Sequence, residues 1–224
     1  MVTLRSTWSL DDYTALLRTL QDKGVRWIGL GDFARGAHGT WLRHDVELDL
    51  ESAARMARVE QQLGLSASYY ICVDSPAISA TDNEFNRLIE ELRRLGHGVS
   101  FHLLFSGEGQ PVSHQLDALR ARFPSVRPTS LTFHAPGTDL TVLSTVPLGA
   151  EVYEPVAASR AAYYSDSLGW WRWGNPAEAP QSAQQTTQLL IHPFWWATAA
   201  VHVPPTVVQD FLPQLAREFE SQLK

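Results

Sequence analysis

WLRHDVELDLESAARMARVEQQLGLSASYYICV, residues 41–73, holds two short β-rich runs on either side of a helical stripe. In the middle segment Leu50, Ala53, Met56, Ala57, Val59 and Leu63 recur at helical spacing and stop at Gly64, so one apolar face can pack on the strands. A helix-length spacer between short strands predicts a right-handed crossover and parallel pairing. The pattern repeats downstream. TDNEFNRLIEELRRLG, residues 81–96, reads as a helix capped by Thr81 or Asp82 and closed by Gly96, and GVSFHLLF, residues 98–105, reads as the next strand. Upstream, Ser9 and Asp12 have capping-box spacing, and Leu10, Tyr13, Leu16, Leu17 and Leu20 form an amphipathic face ending at Gly24. VRWIGL, residues 25–30, is then a short strand, and GDFARGAHGT, residues 31–40, a Gly-rich loop. No GxGxxG or GxxxxGK turn follows any strand, which favours a closed or nearly closed α/β barrel over an open doubly wound sheet.

The 224 residues suit one domain, 1–224, and 44% hydrophobic against 19% charged residues is enough to fill a core. With 18 Lys plus Arg against 24 Asp plus Glu, the net charge is −6 and no basic stripe matches a row of phosphates, so nucleic acid is not an expected partner. Cys72 is the single cysteine and has no internal disulfide partner, which fits a reducing compartment. No apolar run reaches signal-peptide or membrane-spanning length, so the expectation is a soluble, cytoplasmic protein with no membrane partner. After residue 124, Pro and aromatic residues accumulate and long functional loops are expected. Residues 204–223 read as a closing helix with Pro213 as a kink.

Period-two alternation in residues 41–48 sends Asp45 and Glu47 to one face, opposite His44 and Val46. Two close carboxylates invite a cation or a shared proton; without either, one of the two is expected to have a raised pKa. His102, His134 and His192 each fall at the end of a strand-like run before a loop or Pro turn. In a parallel barrel those ends share one mouth, where imidazoles can bind a divalent metal such as zinc or move a proton. His97 opens the strand that carries His102, and its spacing puts it on the opposite face. Trp170, Trp171, Trp173, Trp195 and Trp196 cluster late in the chain. Trp170, Trp195 and Trp196 are the candidates for stacking on a sugar ring, against the alternative that they plug one end of the barrel.

In order, RHDVE (43–47), GHGVSFH (96–102), TFHAPG (132–137), DSLGW (166–170) and LLIH (189–192) resemble the five motifs of the polysaccharide deacetylase family of carbohydrate esterases, in a divergent branch with an RHDVD-like first motif. The resemblance implies a distorted parallel β/α barrel with fewer than eight strands and a bound divalent metal, usually zinc. It also implies hydrolysis of an N-acetyl group on an amino sugar or related carbohydrate. It gives Asp45 the role of general base, Glu47 and His102 those of metal ligands, His192 that of general acid, and Asp166 the tuning of that acid. Two positions depart from the pattern. Glu47 stands where the family has Asp, and Ser106 stands where the second metal histidine falls, which leaves His134 as the candidate third ligand. The alternative is a degenerate barrel that binds a carbohydrate or metabolite without hydrolysing it. Glycoside hydrolysis by Asp45 and Glu47 ranks last, because adjacent same-face carboxylates cannot easily flank a glycosidic bond at the roughly 5 Å or more required.

Overall fold

The computed structural model describes residues 2–5, 7–104, 112–128, 130–134, 161–171, 174–179, 185–198 and 200–203. The strands are β1 (Val2–Arg5), β2 (Trp27–Ile28), β3 (Gly39–Val46), β4 (Ser68–Ile71), β5 (Gly98–Leu104), β6 (Leu131–His134), β7 (Ala162–Ser165), β8 (Thr186–Ile191) and β9 (Ala200–Val203). The helices are α1 (Leu10–Asp22), α2 (Leu30–Ala34), α3 (Leu50–Gln62), α4 (Asp82–Arg94), α5 (Val112–Arg122) and α6 (Phe194–Ala197). Ser106, Trp173 and the expected helix over 204–223 lie outside the described residues.

Local chemistry sets the helix boundaries. Ser9 and Asp12 form the expected capping box on α1, and Thr81 with Glu84 forms a second on α4, which settles Thr81 rather than Asp82 as the cap. Asp49 caps α3 by accepting from the backbone N–H groups of Glu51 and Ser52. The segment 31–40 is not wholly a loop: α2 occupies its first residues because Phe33 is buried against Trp41, with ring centroids 4.8 Å apart. Gly39 begins β3 at φ 143, where a Cβ would lie 2.6 Å from the Ile28 side chain and 2.8 Å from the Arg26 carbonyl, so only glycine fits there.

Six strands run in the order β6-β5-β4-β3-β8-β7, with β2 added on β3, and every pairing is parallel. The sheet curls into an incomplete barrel wrapped by helices, the expected architecture with fewer than eight strands. A separate antiparallel pair, β1 with β9, joins residues 2–5 to 200–203. Central β3 is buried on both sides. Leu42 and Val46 join the helix-packed core with Tyr13, Leu17, Met56, Tyr69 and Ile89, whereas Trp41 and Tyr70 pack with Ile28 and Phe33 in a smaller second cluster. Trp41, Arg43 and Asp45 alternate with Leu42 and His44 along β3, so the polar end of Trp41's face is left for Arg43 and Asp45. Among the described residues no helix is long and apolar enough to cross a membrane.

Candidate active site

The strands β3, β5 and β8 and the residue after β7 bring the candidate side chains to one end of the sheet. Asp45 lies near the end of β3 and Glu47 just beyond it. His102 lies in β5, and His192 directly follows β8. Asp45, Glu47 and His192 each offer a ligand atom, and these three atoms lie within 4.8 Å of one another. Asp45 and Glu47 are buried, so water does not screen their charges.

Arg43 changes the character of the carboxylate pair. Its Nε donates to Asp45 Oδ1 at 2.8 Å and its Nη2 to Oδ2 at 2.7 Å, a two-pronged ion pair made within one strand. Burial pushes the Asp45 carboxyl up, but the Arg43 guanidinium, with His102 and His192 behind it, outweighs burial and holds it below the ordinary carboxylate range. The pKa rise expected for one member of an unneutralised pair does not fall on Asp45, because a cation from the same strand neutralises it. Arg43 was legible as Asp45's partner, since residues i and i+2 share a strand face.

His102 is oriented from both ends of its ring. Nδ1 meets Thr132 Oγ1 at 2.6 Å, across the β5–β6 pairing that places these residues opposite each other, and Nε2 lies 2.8 Å from Glu47 Oε1. The extra methylene of Glu47 thus does not carry its carboxylate away from the site. His97 is on the other side, as its spacing required, with Nδ1 3.5 Å from Glu60. His134 ends β6 with its Cα paired to Leu104, and its side chain lies outside the described residues.

Asp166 is completely buried and serves one neighbour above all. Its Oδ1 accepts from His192 Nδ1 at 2.7 Å and from the His192 main-chain N–H at 3.0 Å; Oδ2 lies 3.1 Å from the same N–H and accepts from Trp196 Nε1 at 2.6 Å. A carboxylate on Nδ1 fixes the tautomer and directs Nε2 toward the cluster. Burial draws the His192 pKa down, but the charge and hydrogen bond of Asp166, helped by Glu47 and Asp45, raise it to about 9.

The tryptophans divide. Trp195 and Trp196 are 5% and 3% exposed, and Trp196 stacks on Trp8 with centroids 4.4 Å apart. Both belong to the core, where Trp195 packs on Phe194 and Trp196 donates to Asp166. Trp170 is 46% exposed beside the Asp166 turn.

The comparisons with known proteins are sparse. No family model matches the chain, and no curated protein does. Among solved structures the chain is similar to a CE4 esterase of Streptococcus mutans, with 13% sequence identity, a TM-score of 0.48, and coverage of 90% of this chain and 91% of that one.

The donor set fits a divalent cation. Two buried carboxylates and an imidazole nitrogen are suitable ligands for zinc and its first-row neighbours. The contact between Glu47 and His102, at 2.8 Å, is an ion-pair distance. Ligands of one tetrahedral ion stand farther apart than this, at about 3.4 Å, so Glu47 and His102 would have to part for both to hold one.

Proposed function

We propose that the protein is a metal-dependent hydrolase that removes an N-acetyl group from an acetylated amino sugar or related carbohydrate. The observation that carries this reading is the junction of a buried Asp45–Glu47–His192 cluster with an Asp166 carboxylate seated on the distal nitrogen of His192. The order of the five sequence motifs supplies the substrate class.

In this reading Glu47 and His102 hold the ion, with His134 as the third candidate ligand. A bound divalent ion supplies polarisation of the acyl carbonyl and a lowered pKa for the attacking water. Asp45, kept ionised by Arg43, takes the proton of that water on a carboxylate oxygen as the water attacks the acetyl carbon. A carboxylate with depressed basicity is a weak base toward ordinary water, which is why the reading requires the ion. His192 gives its Nε2 proton to the leaving amine nitrogen, and Asp166 stabilises the imidazolium before transfer and orients the ring throughout. Acetate and a free amine leave. We assign His192 to proton transfer rather than to the ligand set because LLIH (189–192) resembles the motif that carries the family's general acid, and the Asp166 carboxylate 2.7 Å from its Nδ1 stabilises the imidazolium. Trp170 offers the exposed aromatic face for the sugar ring.

The test is acetate release from acetylated amino sugars by chelated protein to which Zn²⁺, Co²⁺ or Mn²⁺ is returned. Activity well above an Asp45→Asn control supports the reading, and none with any ion rejects it. A second reading, binding without hydrolysis, is favoured by the closed Arg43–Asp45 and Glu47–His102 pairs. It predicts sugar binding unaffected by chelator and no acetate.

A further inference from the structure

Behind β3 lies a second polar cluster that the reaction above does not use. Glu60 of α3 is completely buried. Its Oε1 accepts from the Tyr13 hydroxyl at 2.6 Å and faces His44 Nε2 at 2.8 Å, and its Oε2 accepts from the Tyr69 hydroxyl at 2.9 Å and faces His97 Nδ1 at 3.5 Å. His97 is tied down independently, with Nε2 on the Ala57 carbonyl at 3.0 Å and Nδ1 accepting from the Ala67 N–H at 3.2 Å. Five segments of chain meet on one carboxylate. Apolar side chains would fill this space without the cost of burying a charge, so the cluster's worth lies in what it fixes.

What it fixes is a single peptide group at the edge of the site. His44 Nδ1 donates to the carbonyl oxygen of Ile191 at 3.2 Å. The N–H of that same peptide group, belonging to His192, donates to Asp166 at 3.0 Å and 3.1 Å. The Ile191–His192 amide is therefore held from opposite sides, by the rear cluster through its oxygen and by the site through its nitrogen.

We propose that the Glu60–His44 pair is a positioning device for His192, acting through the Ile191–His192 peptide group so that Asp166 meets the ring N–H and the main-chain N–H of residue 192 together. The inference rests on the reading of His192 as the proton donor. Glu60 and His44 touch neither substrate nor reacting atoms; they are positioning residues. Misplacement of a reacting group by about 1 Å costs on the order of 10²-fold in rate, so a hinge at this peptide is felt in kcat.

Two substitutions of His44 divide its two bonds. The amide nitrogen of Asn reaches where Nδ1 is and can still meet the Ile191 carbonyl, whereas that of Gln reaches where Nε2 is and meets Glu60 instead. Hydrogen exchange of the His192 main-chain amide, measured by NMR on the full chain, reports the peptide without any assay of activity. We expect exchange at least about tenfold faster in His44→Gln than in His44→Asn, acceleration also in Glu60→Gln, and no change in Tyr69→Phe, which removes a donor from the far oxygen of Glu60. In turnover, His44→Gln and Glu60→Gln are expected to lower kcat about 10- to 100-fold with KM unchanged. Equal exchange in the two His44 variants would overturn the proposal, and should Glu60→Gln not fold, that pair still decides it. If His192→Asn keeps full activity, the assignment of the acid is what fails, and the exchange comparison stands on its own.

Discussion

Asp166 receives two donors from His192, the ring Nδ1–H at 2.7 Å and the main-chain N–H at 3.0 Å, on one oxygen. A carboxylate bonded to both the ring and the backbone of a single residue leaves that imidazole little rotational freedom, and the Trp196 indole on the other oxygen immobilises the carboxylate itself. The result is a preoriented Nε2 facing two buried carboxylates.

Because the partner charge raises the His192 pKa from 6.5 to about 9, the histidine should titrate near pH 9 in metal-free protein by NMR. In Asp166→Asn the same titration should move clearly below 9, since the main counterweight to burial is removed while Glu47 and Asp45 remain. For stability the sign follows. A raised folded-state pKa contributes stability that is complete below pH 6.5 and is lost as pH rises toward about 9. Denaturant melts of wild type and His192→Asn across this window should converge at the alkaline end.

In the proposed reaction His192 is the proton donor to the leaving amine, and on that reading it should be worth about 10²- to 10⁴-fold in kcat. On the same reading, His192→Asn is expected to show that loss and still bind an added divalent ion, and His102→Ala is expected not to bind it. Elemental analysis of the purified variants separates the two roles, and loss of the ion from His192→Asn would move His192 into the ligand set.

Arg43→Met should destabilise the fold by about 3–5 kcal/mol, the usual cost of leaving one member of a buried ion pair alone. The Asp45 carboxyl should then rise, because desolvation remains and the largest opposing charge is gone, with only His102 and His192 left to oppose it. Urea unfolding at pH 7 and at pH 5 tests both: the deficit should shrink at the lower pH as Asp45 takes up a proton.

Trp170→Ala should leave stability within about 0.5 kcal/mol of wild type, as for other surface substitutions, because this side chain is largely exposed. It should raise KM for a sugar substrate about fivefold, equivalent to about 1 kcal/mol of lost ring contact. Trp196→Ala should do the reverse, lowering stability by about 3 kcal/mol or more through loss of core packing and of the Asp166 hydrogen bond.

Much of this was legible in the chain itself. The helical stripes, the capping residues at 9 and 81 and the glycine stops set α1, α3 and α4, and their spacing from short β-rich runs required parallel pairing. Period-two alternation along residues 41–48 put Asp45 and Glu47 together and His44 behind them, because a pleated strand has no other way to dispose of successive side chains. Tertiary structure alone decided the rest. That His44 and His97 share Glu60, that Thr132 orients His102, and that Trp196 serves Asp166 instead of offering an open face all depend on which strands become neighbours and how their ends register. Residues this far apart in sequence meet only once their strands and helices have become neighbours. The charge state of Asp45 lay between the two: its cation was visible two residues away, but the burial which that cation has to outweigh, and the imidazoles of His102 and His192 that help it, came only with the fold.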